Sequence, residues 1–255
     1  MSMTRELIEI ANRHESETGN KLVHLNSMMG VNRYVKDALA IKKTIAPDAR
    51  VLDLGSGYGH MSYLLSRMGF KVVSMDILPE SPYFVNYYNK KYTGEHIDYY
   101  CYNILENEKY PVLSNRQFDA ILISGVLEHV TDFSLFLTRL KSLLKKNGEL
   151  FIFRFPNRYS WIEKINDVLL GETIIHPLRF SLKEIHFMLR WHGFRVTECG
   201  YEQIFPVNFA GWPNALSYLY HRLDLLLMAV NRMMCRIPVL NKVSTSFWLS
   251  CKKSV

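Results

Sequence analysis

Asp53, Gly55, Gly57 and Gly59 stand at alternating positions in VLDLGSGYGH (51–60), with Ser56 and Tyr58 between them and a short apolar run before them. Small residues so spaced let a chain turn sharply out of a strand, and they let a ligand approach the start of the next helix. Nucleotide or phosphate binding is the chemistry such a loop serves. A P-loop would need Gly-Lys-Ser/Thr, but Gly59 is followed by His60-Met61, which rejects that reading. A dinucleotide fingerprint counted from Gly55 places His60 where a third small residue is required, and a large side chain there blocks close helix–strand packing. A structural turn with no ligand is the remaining alternative.

The elements around the loop must position it. Helical spacing is seen at 4–18 and at 31–45, where Val31, Tyr34, Val35, Ala38, Leu39 and Ile45 fall mostly on one face. The run at 49–54 reads as a first strand, followed by a helix that stops at Gly69. Strands are expected at 71–77, 97–104, 118–124 and 149–155, with helices at 81–93 and 132–148, the latter ended by Gly148. A helix at 181–193 and strands at 194–202 and 246–253 complete the pattern. Strand–helix alternation predicts an α/β fold with a mostly parallel sheet and right-handed crossovers. The long connections, from Pro156 to Phe180 and from Gln203 to Lys242, are of the length that covers or builds a site.

With 255 residues, 48% hydrophobic, the chain can bury a sizeable core as one domain, and its composition argues against disorder. Cys101, Cys199, Cys235 and Cys251 are far apart and form no CxxC pair, so neither a disulfide framework nor a zinc site is expected. The charged N-terminus is unlike a signal peptide, and no apolar run is long enough to span a bilayer. A cytoplasmic protein is expected. The net charge of +7 is concentrated late, with Arg222, Arg232, Arg236, Lys242, Lys252 and Lys253 against Asp224 alone after residue 203. Such a bias marks either an anionic partner surface or a solvated basic face.

The D-x-G-x-G-x-G at the end of a first strand resembles the nucleotide-binding loop of class I S-adenosylmethionine-dependent methyltransferases. The resemblance continues in order over roughly 30–200. It implies a Rossmann-like sheet with an antiparallel last strand and helices on both faces. It also implies S-adenosylmethionine as cofactor and S-adenosylhomocysteine as product. On the loop it implies cofactor contacts from Asp53, Gly55, Ser56, Gly57, Tyr58 and Gly59, with Asp53 stabilising the loop and the ligand's ammonium. Asp76, 21 residues after Gly55, would accept the ribose hydroxyls, with Ile77 beside it. In YNILE (102–106) Asn103 stands where the family usually has an Asp that reads the adenine amino group, and Ile104 follows. FDAILISGVLEHV (118–130) resembles the fourth motif, whose backbone at Ser124 and Gly125 contacts the methionine portion.

Within that superfamily, Leu127-Glu128-His129-Val130 resembles the ubiquinone-pathway O-methyltransferase and its small-molecule relatives. Those enzymes carry an E-x-x-E-H cluster proposed to hold a divalent metal. Gly125 replaces the first glutamate here, so no metal is expected. Methyl transfer to a hydroxyl is helped by a base near neutral pKa, which histidine provides. His129, His176 and Glu128 are the catalytic candidates, against a structural role for each. Arg154, Arg158 and Arg179 could take an anionic acceptor, and Tyr159 and Trp161 could wall its pocket. Trp212, Leu216, Leu219, Leu223, Leu226, Val230 and Met233 recur at helical spacing among arginines. The segment 205–240 therefore reads as a lid, a homodimer contact or a membrane-surface element. The expected boundaries are 1–46 for N-terminal helices, 47–202 for the cofactor core, 203–243 for a helical insertion or lid and 244–255 for the last strand, within one domain.

The leading expectation is O-methylation of a small-molecule, saccharide or lipid-linked acceptor by a cytoplasmic enzyme, with peripheral contact at the inner membrane face. An RNA or protein methyltransferase is the alternative from another class, but the chain has no [DN]-P-P-[YF] and no RNP motif, which disfavours nucleic acid. A non-catalytic methyltransferase-fold partner is a third reading, and a nicotinamide oxidoreductase a fourth that His60 disfavours.

Overall fold

A computed structural model describes residues 2–22, 24–25, 27–92, 94, 96–106, 113, 117–169, 176, 178–205, 220 and 222–254. Among these are eight α-helices: α1 (Met3–Thr18), α2 (Met28–Thr44), α3 (His60–Arg67), α4 (Tyr83–Lys91), α5 (Phe133–Leu143), α6 (Trp161–Leu169), α7 (Leu182–Trp191) and α8 (Asp224–Met234). The strands are β1 (Arg50–Leu54), β2 (Lys71–Asp76), β3 (Asp98–Cys101), β4 (Phe118–Ser124), β5 (Leu144–Pro156), β6 (Phe194–Glu202) and β7 (Ser246–Lys253). The chain forms two compact units. One gathers Met1–Asp37, Asn157–Ile175 and Tyr201–Ser246; the other gathers Ala38–Pro156, His176–Gly200 and Phe247–Val255.

The larger unit is built on a sheet of order β3-β2-β1-β4-β5-β7-β6. β1 through β5 pair in parallel, and β7 is antiparallel to β5 and β6. This is the expected α/β sheet with an antiparallel last strand. Its central strands are apolar on both faces, as a sheet covered by helices requires: Val51, Leu52, Ala120, Ile121, Leu122 and Phe155 are completely buried. Strand order reverses between β1 and β4, which opens a crevice at the carboxyl ends of these strands.

Among the boundaries that differ from the sequence expectation, three have a clear physical reason. α2 starts at Met28 rather than 31 because the Ser27 hydroxyl accepts the Gly30 N–H at 3.0 Å, an N-cap that precedes the apolar periodicity. β3 ends at Cys101 instead of running to 104, because the Asn103 side chain closes a turn on the Leu105 N–H at 3.0 Å. α5 stops at Leu143, and 144–148 belongs to β5. Leu144 there pairs with Phe118 across a register shift, and Gly148 allows the tight approach: a Cβ would sit 2.9 Å from the Leu144 side chain and 3.0 Å from the Phe118 carbonyl. The glycine read as a helix stop is thus a close-contact glycine within a strand.

In the smaller unit, α1 buries Leu7, Ile10 and Ala11 on one stripe. The Asn157 amide donates to the carbonyls of Lys242 and Ser244 at 2.8 and 2.9 Å, and Asn231 Oδ1 accepts the Ile204 N–H at 2.6 Å. On α8, Leu225, Leu226 and Met233 are 71%, 59% and 60% exposed. Trp212, Leu216 and Leu219 of the expected stripe lie outside the described residues. Among the described residues, no helix is long and apolar enough to cross a membrane.

Candidate active site

The glycine loop leaves β1 through three left-handed residues, Gly55, Gly57 and Gly59, with φ of 74°, 52° and 78°. A Cβ on Gly55 would collide with the Val126 side chain, and one on Gly59 would lie 2.9 Å from Pro82. Only glycine satisfies both the angle and the space at these two positions. The Gly55 and Ser56 N–H groups share the Met75 carbonyl at 2.8 and 3.1 Å, and the buried Ser56 hydroxyl accepts from Ser74 at 2.8 Å. These bonds lock the loop to the end of β2.

Asp76 closes that junction. Its Oδ2 accepts the Gly57 N–H at 2.7 Å, and its Oδ1 accepts the Ile77 N–H at 2.8 Å. A carboxylate offers about four acceptor directions, so capacity for ligand hydroxyls remains. Tyr58 and Ile77, beside this junction, are 47% and 69% exposed, with Leu78 also open. Apolar faces left open around an acceptor-rich carboxylate fit a nucleoside, whose ribose needs acceptors and whose base needs an apolar wall. Farther along, the Asn103 amide donates to Glu106 Oε1 at 2.7 Å, while Ile104 is buried and its carbonyl accepts from Arg139. The Ile104 side chain therefore belongs to the core.

Asp53 is fully enclosed, and its Oδ2 accepts the Ser62 hydroxyl at 2.6 Å. Burial pushes its carboxyl up to about 6, against the lowering effect of the Ser62 bond. Ser62, on the buried side of α3, was not singled out by sequence; its signal is a polar residue inside an apolar helix face. At the end of β4, Ser124 Oγ accepts the Arg154 Nε–H at 2.7 Å. Gly125 follows with φ 65° and gives its N–H to the Phe153 carbonyl at 3.2 Å.

The next turn, Leu127–His129, is a single 3₁₀ turn that buries Glu128 and leaves His129 exposed. His176 meets it: its Nδ1 lies 3.6 Å from Glu128 Oε1, and its ring is 6.2 Å from that of His129. One ligand atom from each of the three residues lies within 4.8 Å of the others. The sequence expectation of no metal counted two donors, and the fold supplies His176 as a third. Two imidazoles and a carboxylate are the donor set that suits a transition metal more than magnesium. Burial holds the His176 imidazole down at about 4, and His129 and Arg179 push the same way. In the smaller unit, Trp161 gives its indole N–H to the Ile204 carbonyl at 2.6 Å, and Tyr159 is half exposed.

A methyltransferase-domain family model matches residues 30–199. The chain belongs to the class I S-adenosylmethionine-dependent methyltransferases. It is 33% identical over 104 residues to a ubiquinone biosynthesis O-methyltransferase of Xanthomonas axonopodis pv. citri, over 41% of this chain and 42% of that protein. A ubiquinone/menaquinone biosynthesis C-methyltransferase of Wigglesworthia glossinidia brevipalpis is 28% identical over 151 residues, 56% of this chain and 59% of that protein. The chain thus spans well under two thirds of the length of these curated relatives. Among solved structures, it resembles a sarcosine dimethylglycine methyltransferase from Galdieria sulphuraria, with TM-score 0.60, 15% identity and coverage of 89% and 86% of the two chains. It also resembles the magnesium protoporphyrin IX methyltransferase of Synechocystis PCC 6803, with TM-score 0.58, 16% identity and coverage of 96% and 94%. At such identities these structures show a shared fold alone.

Proposed function

We propose that the protein transfers a methyl group from S-adenosylmethionine to a hydroxyl of a small-molecule acceptor, with His129 as the base. The observation that carries this reading is the Glu128–His129–His176 cluster just past the carboxyl end of β4. When bound, S-adenosylmethionine supplies an activated methyl group, so the protein's task is positioning, exclusion of water and removal of one proton. Asp76 would hold the ribose hydroxyls and Asp53 the ammonium; Tyr58 and Ile77 would flank the base. His129 is exposed where an acceptor can reach it, whereas His176, held near 4, is a weak proton acceptor at neutral pH. His176 stays neutral there and, with Glu128, orients the His129 side of the cluster.

The exposed leucines of α8, accompanied by Arg222, Arg232 and Arg236, support a finer reading: an amphiphilic or lipid-linked acceptor met at an anionic membrane surface. The test of the main reading is release of S-adenosylhomocysteine with a panel of catechols and phenols. His129→Gln is expected to lower kcat by roughly 10²–10⁴-fold with unchanged S-adenosylhomocysteine affinity, the range for loss of a general base. Full turnover in His129→Gln would sink the assignment.

A further inference from the structure

α7 has two unlike faces. Its inner face buries Ile185 and Leu189 in the core of the larger unit. Its outer face carries Lys183, Phe187, Arg190 and Trp191, at the i, i+4, i+7 and i+8 spacing of one helical stripe. The Phe187 and Trp191 rings stack with centroids 6.2 Å apart and 28° between their planes, yet they remain 67% and 78% exposed. Two large adjacent rings left in water gain free energy by leaving it.

Positive charge surrounds the rings. After α7 the chain turns through Gly193, with φ 76°, into β6, where Arg195 is exposed. A Cβ on Gly193 would collide with the Lys141 ammonium from the end of α5, and the Gly193 carbonyl accepts the Ser254 N–H at 2.8 Å. Lys141 and Lys253 thus meet at this turn, and burial together with Lys141 holds the Lys253 ammonium below its ordinary range. Between Glu184 and Glu198 the sequence has no acid. Glu184 itself is engaged in the capping box, accepting the Ser181 N–H at 2.7 Å and its hydroxyl at 2.8 Å. Among the described residues no carboxylate pairs with Lys183, Arg190 or Arg195.

We propose that this face of α7 is an anchor for an anionic lipid surface, with Phe187 and Trp191 entering the headgroup layer and Lys183, Arg190 and Arg195 meeting the lipid phosphates. Tryptophan is a residue of the membrane interface, and long cationic side chains lay their stems along apolar surface while the charge stays with the phosphates. A second copy of this chain is the wrong occupant, since two such faces would set arginines against arginines. A nucleic-acid strand would need each ring open for a base, whereas these rings are turned to one another. The Lys253 ammonium also donates to the Leu144 carbonyl, so the Gly193 turn lies where β5 begins. That is the amino edge of the sheet, opposite the crevice at the carboxyl ends, and an anchor there leaves the crevice open.

Sedimentation with phosphatidylglycerol vesicles tests this, with S-adenosylhomocysteine affinity read alongside. Phe187→Ser with Trp191→Ser is expected to weaken vesicle binding at least about tenfold, the order of burying two exposed rings. Arg190→Gln with Arg195→Gln, which keeps the rings, should weaken it about 25-fold, roughly fivefold for each basic residue at an anionic surface. Both pairs are exposed and lie away from the crevice, so S-adenosylhomocysteine affinity should hold. Should the serine pair lose that affinity too, its fold is lost and the glutamine pair decides. Quenching of tryptophan fluorescence by brominated lipid in the vesicles should fall in Trp191→Phe. One weak anchor gives marginal binding, so these losses are expected with α8 intact. Vesicle binding equal to wild type in a folded double variant, or quenching unchanged in Trp191→Phe, would overturn the proposal. Loss in Leu225→Glu with Leu226→Glu alone would then leave the α8 contact standing without it. A uridine oligoribonucleotide held by the wild type and released by both variants, with vesicle binding unaltered, would assign the face to nucleic acid instead.

Discussion

Asp53 couples the site to pH. Its carboxyl titrates near 6 in the fold, above its ordinary 3.8, because burial disfavours the charged form. The stability this group contributes is present below its unfolded value and is lost as pH rises through about 6. A bound ammonium demands the ionised form, so ligand affinity must move the opposite way. S-adenosylhomocysteine affinity is expected to fall about tenfold per pH unit below 6 and to level off above it, as titration at pH 5, 6, 7 and 8 would read. A flat profile would remove Asp53 from the ammonium site. At this scale residue type and spacing singled out the glycines, Asp76 and the Glu128-His129 pair, and the structure puts the glycines in left-handed turns, Asp76 against the Gly57 N–H and Glu128 beside His176. Ser62 and the Arg154–Ser124 bond were not, because one depends on which face α3 buries and the other on a backbone angle.

At the scale of elements, periodicity located every described helix and strand of the larger unit, and side-chain chemistry moved their ends. Ser27 extended α2 and Asn103 shortened β3 through hydrogen bonds that carry no hydrophobic signal. Gly148 was ambiguous by nature, since a helix stop and a close strand contact ask for the same residue. α8 carries the exposed leucines on which the proposed membrane contact rests. Leu225 and Leu226 are mostly exposed, so Leu225→Glu with Leu226→Glu should leave the thermal midpoint within about 2 °C, as exposed substitutions generally do. The same pair should abolish sedimentation with phosphatidylglycerol vesicles, while phosphatidylcholine vesicles should fail to retain even the wild type. Equal retention of variant and wild type would exclude α8 as the contact.

At the scale of the molecule, α/β alternation gave the mostly parallel sheet and the family resemblance its antiparallel closing strand, whereas the division into two units was hidden. Each unit is assembled from three separated stretches of chain, and local periodicity carries no record of that. The closing strand holds a key position. β7 lies between β5 and β6, and its Ser250 carbonyl accepts the Thr197 hydroxyl of β6 at 3.0 Å. Deleting 246–255 should therefore cost far more than a tail: gel filtration and far-UV circular dichroism are expected to show an expanded, largely unfolded chain. A compact truncated protein that still binds S-adenosylhomocysteine would refute this. Synthesis proceeds from the N-terminus, so β7 is the last of the seven strands to leave the ribosome. Until it arrives, the nascent chain carries an open β5 edge and a β6 with no neighbour, the kind of edge that recruits other chains. Slow translation would lengthen that exposure, so the yield of soluble protein depends on how quickly this strand follows the rest and on chaperones that shield the edge meanwhile.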